Sequence, residues 1–312
     1  MDLGLAGKVA LVTGGSKGIG AAIAASLSQE GVRVVLCART TAEVERTASA
    51  IAKSTGVDVL GLTADVTRRQ DLERMVAQAS ERFGGIDILV SNAGVPGGIG
   101  FGPIDKVEDS NVMKDVETKF MGTLRAARAV VPHMKQKGWG RIIGIVGLSA
   151  RYSSAYPSER NPEGAWNYSG GPRNLAVIHL MRTLSHELGR HGITANAVLP
   201  GATRTEDLDA MLTRRSALLG KPLDTLRQES SSTNAIGRWV DADEVADVVT
   251  FIASPRSASI SRTSGLHSDA GIGGSRPEPF DAPTATGRPI DTASRATKSR
   301  RIFISGLLEE RG

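Results

Sequence analysis

Residues 8 to 20 read KVALVTGGSKGIG, an apolar β-branched run that stops at a glycine-rich turn and continues into an alanine-rich stretch. A short apolar run bounded by glycine reads as a buried parallel strand. The stretch from Gly18 to Glu30 reads as the helix that follows it. Strand, glycine turn and helix in direct succession are the context in which a glycine pattern carries meaning. Gly14 permits the tight turn, Gly18 lets backbone approach a diphosphate, and Gly20 lets the helix pack on the sheet. The helix N-terminus then offers free N–H groups to an anion. Ser16, Lys17 and Ile19 complete the same candidate cradle.

The rest of the chain repeats this unit. RVVLCAR (33–39), DVLGLTAD (58–65), IDILVSNAG (86–94), RIIGIVGL (141–148) and TANAVLPG (194–201) are strand-like, with helix-like segments between them. SGLHSDAG (264–271) would be a last strand. Thr40 with Glu43, and Asp241 with Glu244, have capping-box spacing. Val245, Val248, Val249 and Ile252 form one apolar helix face. Regular alternation predicts an α/β fold, a doubly wound parallel sheet of Rossmann type with helices on both faces. No internal linker precedes Gly273, so residues 1–273 read as a single domain. Residues 274–312, rich in Pro, Ser, Thr and Arg without periodicity, read as a low-complexity tail.

Bulk properties exclude several classes. Net charge is +5 in 312 residues, with no basic stripe interleaved with aromatics, so nucleic acid is not an expected partner. Cys37 stands alone and lies in an apolar run, which makes it a core residue and fits a reducing compartment. No signal segment and no membrane-length apolar run are visible, so the expected setting is cytoplasmic with no membrane partner. No metal site is expected.

Four motifs in order resemble the short-chain dehydrogenase/reductase family over about residues 5–273. TGGSKGIG (13–20) is similar to its Thr-Gly-x-x-x-Gly-x-Gly fingerprint, and SNAG (91–94) to its Asn-Asn-Ala-Gly motif. PGATRT (200–205) is similar to its Pro-Gly-x-x-x-Thr motif, and Asp65 follows the third strand where the family places an aspartate against adenine. The resemblance implies a nicotinamide dinucleotide across the carboxyl ends of the strands. It would touch Asp65, Val66, Asn92, Ala93, Gly94, Pro200, Gly201, Thr203 and Thr205 besides the glycine loop. It also implies a substrate lid at about 203–236, a small carbonyl or alcohol substrate, and a homodimer or homotetramer built on the helices after the fourth and fifth strands.

The second strand ends Cys37-Ala38-Arg39, with alanine where an NAD site would carry an acid. Arg39 and Lys17 supply two cations to that spot. The expected cofactor is therefore NADP(H) rather than NAD(H).

The catalytic set departs from the family. Its members carry a serine at the end of the fifth strand and Tyr-x-x-x-Lys on the next helix. Here the serine position is Gly147, with Ser149 two residues on. Anchoring on Tyr168 puts Pro172 at the lysine position. Anchoring on the helix body LAVIHLMRTLSHELG puts Gly170 and Asn174 at the tyrosine and lysine positions. The second register keeps HGITANAVLPG aligned without a gap, and neither supplies a lysine. In KFMG, Lys119 replaces the usual asparagine. These departures together resemble a divergent branch of the family. One reading is an oxidoreductase with a rearranged site: Tyr168 as proton donor, Ser149 orienting the substrate, Lys119 supplying the missing positive charge and Asn174 holding ribose hydroxyls. The other is an NADP(H)-binding sensor or partner subunit without turnover.

Overall fold

Strand side chains point alternately to opposite faces, so a strand covered on both sides must be apolar at every position. The first strand obeys this. Val9 and Leu11 enter one hydrophobic core, while Ala10 and Val12 enter a second on the other face. The computed structural model describes residues 2–151, 155–158 and 161–261. Six apolar runs form one parallel sheet: β1 (Val9–Thr13), β2 (Arg33–Ala38), β3 (Val59–Thr63), β4 (Ile88–Ser91), β5 (Gly140–Ile145) and β6 (Ile193–Val198). Their order is β3-β2-β1-β4-β5-β6. The strand order reverses between β1 and β4, which creates the crevice where such sheets bind ligands.

The helices are α1 (Gly18–Gln29), α2 (Thr41–Thr55), α3 (Arg69–Phe83), α4 (Asp109–Val116), α5 (Gly122–Lys137), α6 (Gly170–Leu188), α7 (Glu206–Leu219), α8 (Leu223–Ser232) and α9 (Ala242–Ala253). Leu72 and Met75 of α3, Val130 of α5 and Val177 and Met181 of α6 cover one face. Ile23 and Leu27 of α1, Val44 and Ile51 of α2 and Val249 of α9 cover the other. The doubly wound fold expected from the sequence is the fold observed. Cys37 is buried in the first core, where desolvation pushes its thiol up to about 12.

Three local expectations need correction or extension. Asp241 and Glu244 form the expected capping box. Thr40 does not cap α2, since its side chain makes no cap hydrogen bond. Val248 is 37 % exposed rather than part of the buried face of α9. At 3.6 residues per turn the buried stripe of that helix centres between Val245 and Ala246, and Val248 falls at its edge. The connection before α6 is also more ordered than a plain loop. Ala155–Ser158 and Asn161–Asn167 pair as an antiparallel hairpin, and the latter pairs with Phe101–Gly102.

The described residues form one compact unit. The expected strand at 264–271, the domain end at 273 and the tail at 274–312 lie outside the described residues. No helix among the described residues is long and apolar enough to cross a membrane.

Gly20 is where helix α1 presses on the glycine turn. A Cβ there would come within 2.6 Å of Asn92 Nδ2 and collide with the carbonyl oxygen of Gly14. Gly20→Ala is expected to cost about 1–3 kcal/mol of stability by overpacking, read as a lowered urea midpoint with unchanged slope.

Candidate functional site

Two loops meet at the carboxyl edge of the sheet and are stitched into one. Asn92, just past β4, donates from Nδ2 to the Gly14 carbonyl at 2.9 Å. The backbone N–H groups of Asn92 and Ala93 donate to Thr13 Oγ1 at 3.1 and 3.2 Å. Gly14 holds φ +65°, and a Cβ there would lie 2.9 Å from Ala93 Cα. Only glycine satisfies both the left-handed backbone and the close approach. Helix α1 then starts without any side-chain cap, so its first N–H groups stay open to an anion. Ser16, Lys17, Gly18 and Ile19 run along this opening. These features fit a dinucleotide diphosphate.

The loop after β6 closes the other side. Pro200, Gly201 and Thr203 leave the sheet edge, and Thr205 caps α7 by accepting from Leu208 N–H at 3.2 Å. Thr205 also packs against Gly18. Asn234, which the sequence reading did not single out, clamps this loop. It accepts from Ala202 N–H at 2.8 Å and donates to the Ala202 and Arg238 carbonyls. At the end of β3, Asp65 accepts from Thr67 N–H and Oγ1, and Val66 is buried against Gly122.

Toward β2, Lys17 Nζ pairs with Asp207 Oδ1 at 2.7 Å, both side chains about half exposed. That hydrogen bond raises the lysine pKa. Exposed pairs of this kind are worth ~0–1 kcal/mol, so Lys17 exchanges partners at little cost. Arg39 is exposed and makes no ion pair among the described residues.

Toward β5, the four expected catalytic residues separate into groups. Asn174 is 4 % exposed and donates to Ser149 Oγ at 3.1 Å, beside Gly147. Pro172 is exposed on the first turn of α6, where proline costs nothing. Lys119 sits in a π turn, Glu117–Met121, between α4 and α5. A π turn at a ligand crevice is a recurrent functional feature. The residue is 6 % exposed; its ammonium donates to the Asn92 carbonyl at 3.0 Å, while its own backbone carbonyl accepts from Thr123 Oγ1 at 2.6 Å. Burial, then the charge of Arg173, lower the Lys119 pKa to about 7. Tyr168 is half-buried, donates its N–H to the Gly100 carbonyl at 2.9 Å, and has no phenol hydrogen bond among the described residues.

A second polar cluster escaped sequence reasoning. Asp115 of α4 is 1 % exposed and accepts from Arg173 Nη1 at 2.7 Å, from Ile99 N–H at 2.7 Å and from the Ser169 hydroxyl. Arg173 Nη2 donates to the Val95 carbonyl at 2.5 Å, and Gly100 N–H donates to Ser169 Oγ at 2.9 Å. Asn167 accepts from Ser169 and Gly170 N–H and donates to the Gly97 carbonyl. The cluster fixes the start of α6 against the loop that follows β4. Its sequence signal was an Asn-x-Ser just ahead of a helix, which is capping chemistry. Arg173 was hidden because nothing local announces a buried arginine.

A family model for "short chain dehydrogenase" matches residues 8–217. The chain is 34 % identical over 263 residues to "Short-chain reductase protein NovJ" of Streptomyces niveus, covering 84 % of this chain and 93 % of that protein. It is 32 % identical to a "Putative ketoacyl reductase" of Streptomyces coelicolor, covering 81 % and 92 %. Among solved structures it is similar to L-sorbose reductase from Gluconobacter frateurii complexed with NADPH and L-sorbose, with TM-score 0.76, 29 % identity and coverage of 84 % and 95 %.

Removing one partner of a buried pair strands the other charge at a cost of about 3–5 kcal/mol, whereas apolar replacement of both is often near neutral. Arg173→Met is therefore expected to lower the unfolding free energy by about that amount. The double variant Asp115→Leu with Arg173→Met should regain most of it, as read by urea unfolding of both proteins.

Proposed function

The chain belongs to the short-chain dehydrogenase family of NAD(P)-dependent oxidoreductases acting on ketones and alcohols, and from that premise we propose that it uses NADP(H) to interconvert a carbonyl and a secondary alcohol of a small organic substrate in a rearranged active site. The observation that carries the cofactor choice is the end of β2. Ala38 stands where an acid would select NAD, and Arg39 and Lys17 supply cations suited to a 2′-phosphate. The L-sorbose reductase and the actinorhodin polyketide ketoreductase to which the fold is similar were solved with NADPH, which supports the same choice.

When bound, the nicotinamide supplies the hydride, and the protein supplies position and electrostatics. Gly14, Ser16, Gly18, Ile19 and Gly20 hold the diphosphate. Asp65 and Val66 flank the adenine, and Pro200, Gly201, Thr203 and Thr205 close over the remaining length. Asn92, Ala93 and Gly94 form the floor beneath the nicotinamide end. Ser149 orients the substrate oxygen, with its hydroxyl held by Asn174. Asn174 occupies the turn of α6 where the family lysine stands and contributes a neutral hydrogen bond to the ribose. Lys119 supplies the positive charge from below. Tyr168 acts as proton donor to the substrate oxygen. Subunits pair through α5 and α6 as a homodimer or homotetramer, and the lid comprises about residues 203–236.

Fluorescence titration at fixed salt should show tighter binding of NADPH than of NADH. Arg39→Asp should move the preference toward NADH, and equal affinities in the wild type would overturn the cofactor assignment.

Over a carbonyl panel with NADPH, Tyr168→Phe should lower kcat by about 10²–10⁴, the range for a general acid. Unchanged kcat would remove Tyr168 from the mechanism. Tight NADPH binding with no turnover on any substrate would support the non-catalytic reading instead.

A further inference from the structure

Among the described residues the buried Lys119 ammonium has no carboxylate partner. It donates to the Asn92 carbonyl at 3.0 Å, and its chain lies beneath Gly94, where a Cβ would stand 3.1 Å from the lysine Cδ. Its charged neighbours among the described residues are few. Arg173 faces it from α6 and repels it. Asp115 of α4 is committed to Arg173, Ile99 N–H and Ser169. Glu117, on the π turn itself, pairs with Arg125 of α5 at 2.5 Å. Residues 92–100 of the loop after β4 bring no charge. With Lys119 protonated, the inner cluster of Lys119, Arg173 and Asp115 carries one net positive charge.

The cations for a 2′-phosphate lie at the β2 end, so the nicotinamide end of the cofactor extends past the switch point toward β4 and β5, over Asn92–Gly94. That ring is neutral when reduced and positive when oxidised. Two positive groups close together in a site of low dielectric repel strongly, and a lysine can relieve this by releasing its proton, which an arginine cannot do.

We propose that Lys119 titrates with the redox state of the cofactor, keeping its proton over the reduced nicotinamide and releasing it when the oxidised form binds. This rests on the NADP(H) reading above. It keeps the charge of the site constant: one positive charge leaves Lys119 as one appears on the ring. In the direction of carbonyl reduction, the single proton that Lys119 sheds equals the single proton the new hydroxyl takes up. A lysine held near pH 7 by burial can carry out this exchange under physiological conditions.

The test is the ratio of dissociation constants, Kd for NADP+ over Kd for NADPH, from pH 6 to 9. The ratio cancels titration of the 2′-phosphate, which both forms share. Free enzyme cancels from the ratio, so its break lies at the Lys119 pKa in the NADPH complex. Below that pKa the ratio should fall by up to about tenfold per pH unit, and above it the ratio should flatten. Calorimetry of NADP+ binding at pH 6.5 in two buffers of different ionisation enthalpy should show release of a proton. Lys119→Met should make the ratio independent of pH, and Lys119→Arg should hold it high throughout. NADPH binding and thermal melts report whether each variant is folded, and Lys119→Arg decides the matter if Lys119→Met is not. A flat ratio in the wild type, with both cofactors bound, overturns this proposal and leaves the NADP(H) reading standing. Failure to bind either cofactor overturns both.

Discussion

Asn92 is the side chain on which the site depends. Its amide ties the glycine turn after β1 to the loop after β4, its backbone N–H closes onto Thr13, and its carbonyl takes the ammonium of Lys119. These few hydrogen bonds join the two loops that border the switch point. The two glycines that must lie against it, Gly14 and Gly20, have no room for a side chain because Asn92 and Ala93 fill the space. The glycine turn and the loop after β4 are consequently packed directly on one another.

Beyond that floor, α6 starts with Gly170 and places Asn174 one turn in, bonded to Ser149. Lys119 stands on a π turn and reaches the Asn92 carbonyl. The start of α6 is anchored by the buried Asp115–Arg173 pair and by Asn167. A buried ion pair contributes little net stability but strongly disfavours arrangements that leave one charge alone. Here it fixes the helix start and the loop after β4 in a single mutual geometry.

Much of this could be read from residues in a row. The apolar runs of β1 to β6 announced a parallel sheet because each must be covered on both faces, and the Asp241–Glu244 spacing announced a helix start that formed as expected. Thr40 with Glu43 had the same spacing and formed no cap hydrogen bond, so local spacing alone does not decide a cap. Val248 shows the same limit for a helix face, since the sequence gives the stripe but not where its centre will lie.

The sequence by itself determined the fold, the order of the strands' motifs and the glycine cradle, since backbone conformation, apolar alternation and turn chemistry act over a few neighbouring residues. It also shows no Tyr-x-x-x-Lys spacing. Only the tertiary structure decided which residues meet around the start of α6. Lys119 meets Asn92 across 27 residues, Asn174 meets Ser149 across 25, and Arg173 meets Asp115 across 58. Charge burial and partner choice across such distances depend on how strands and helices pack, and no local pattern encodes the desolvation that sets the proton affinity of Lys119.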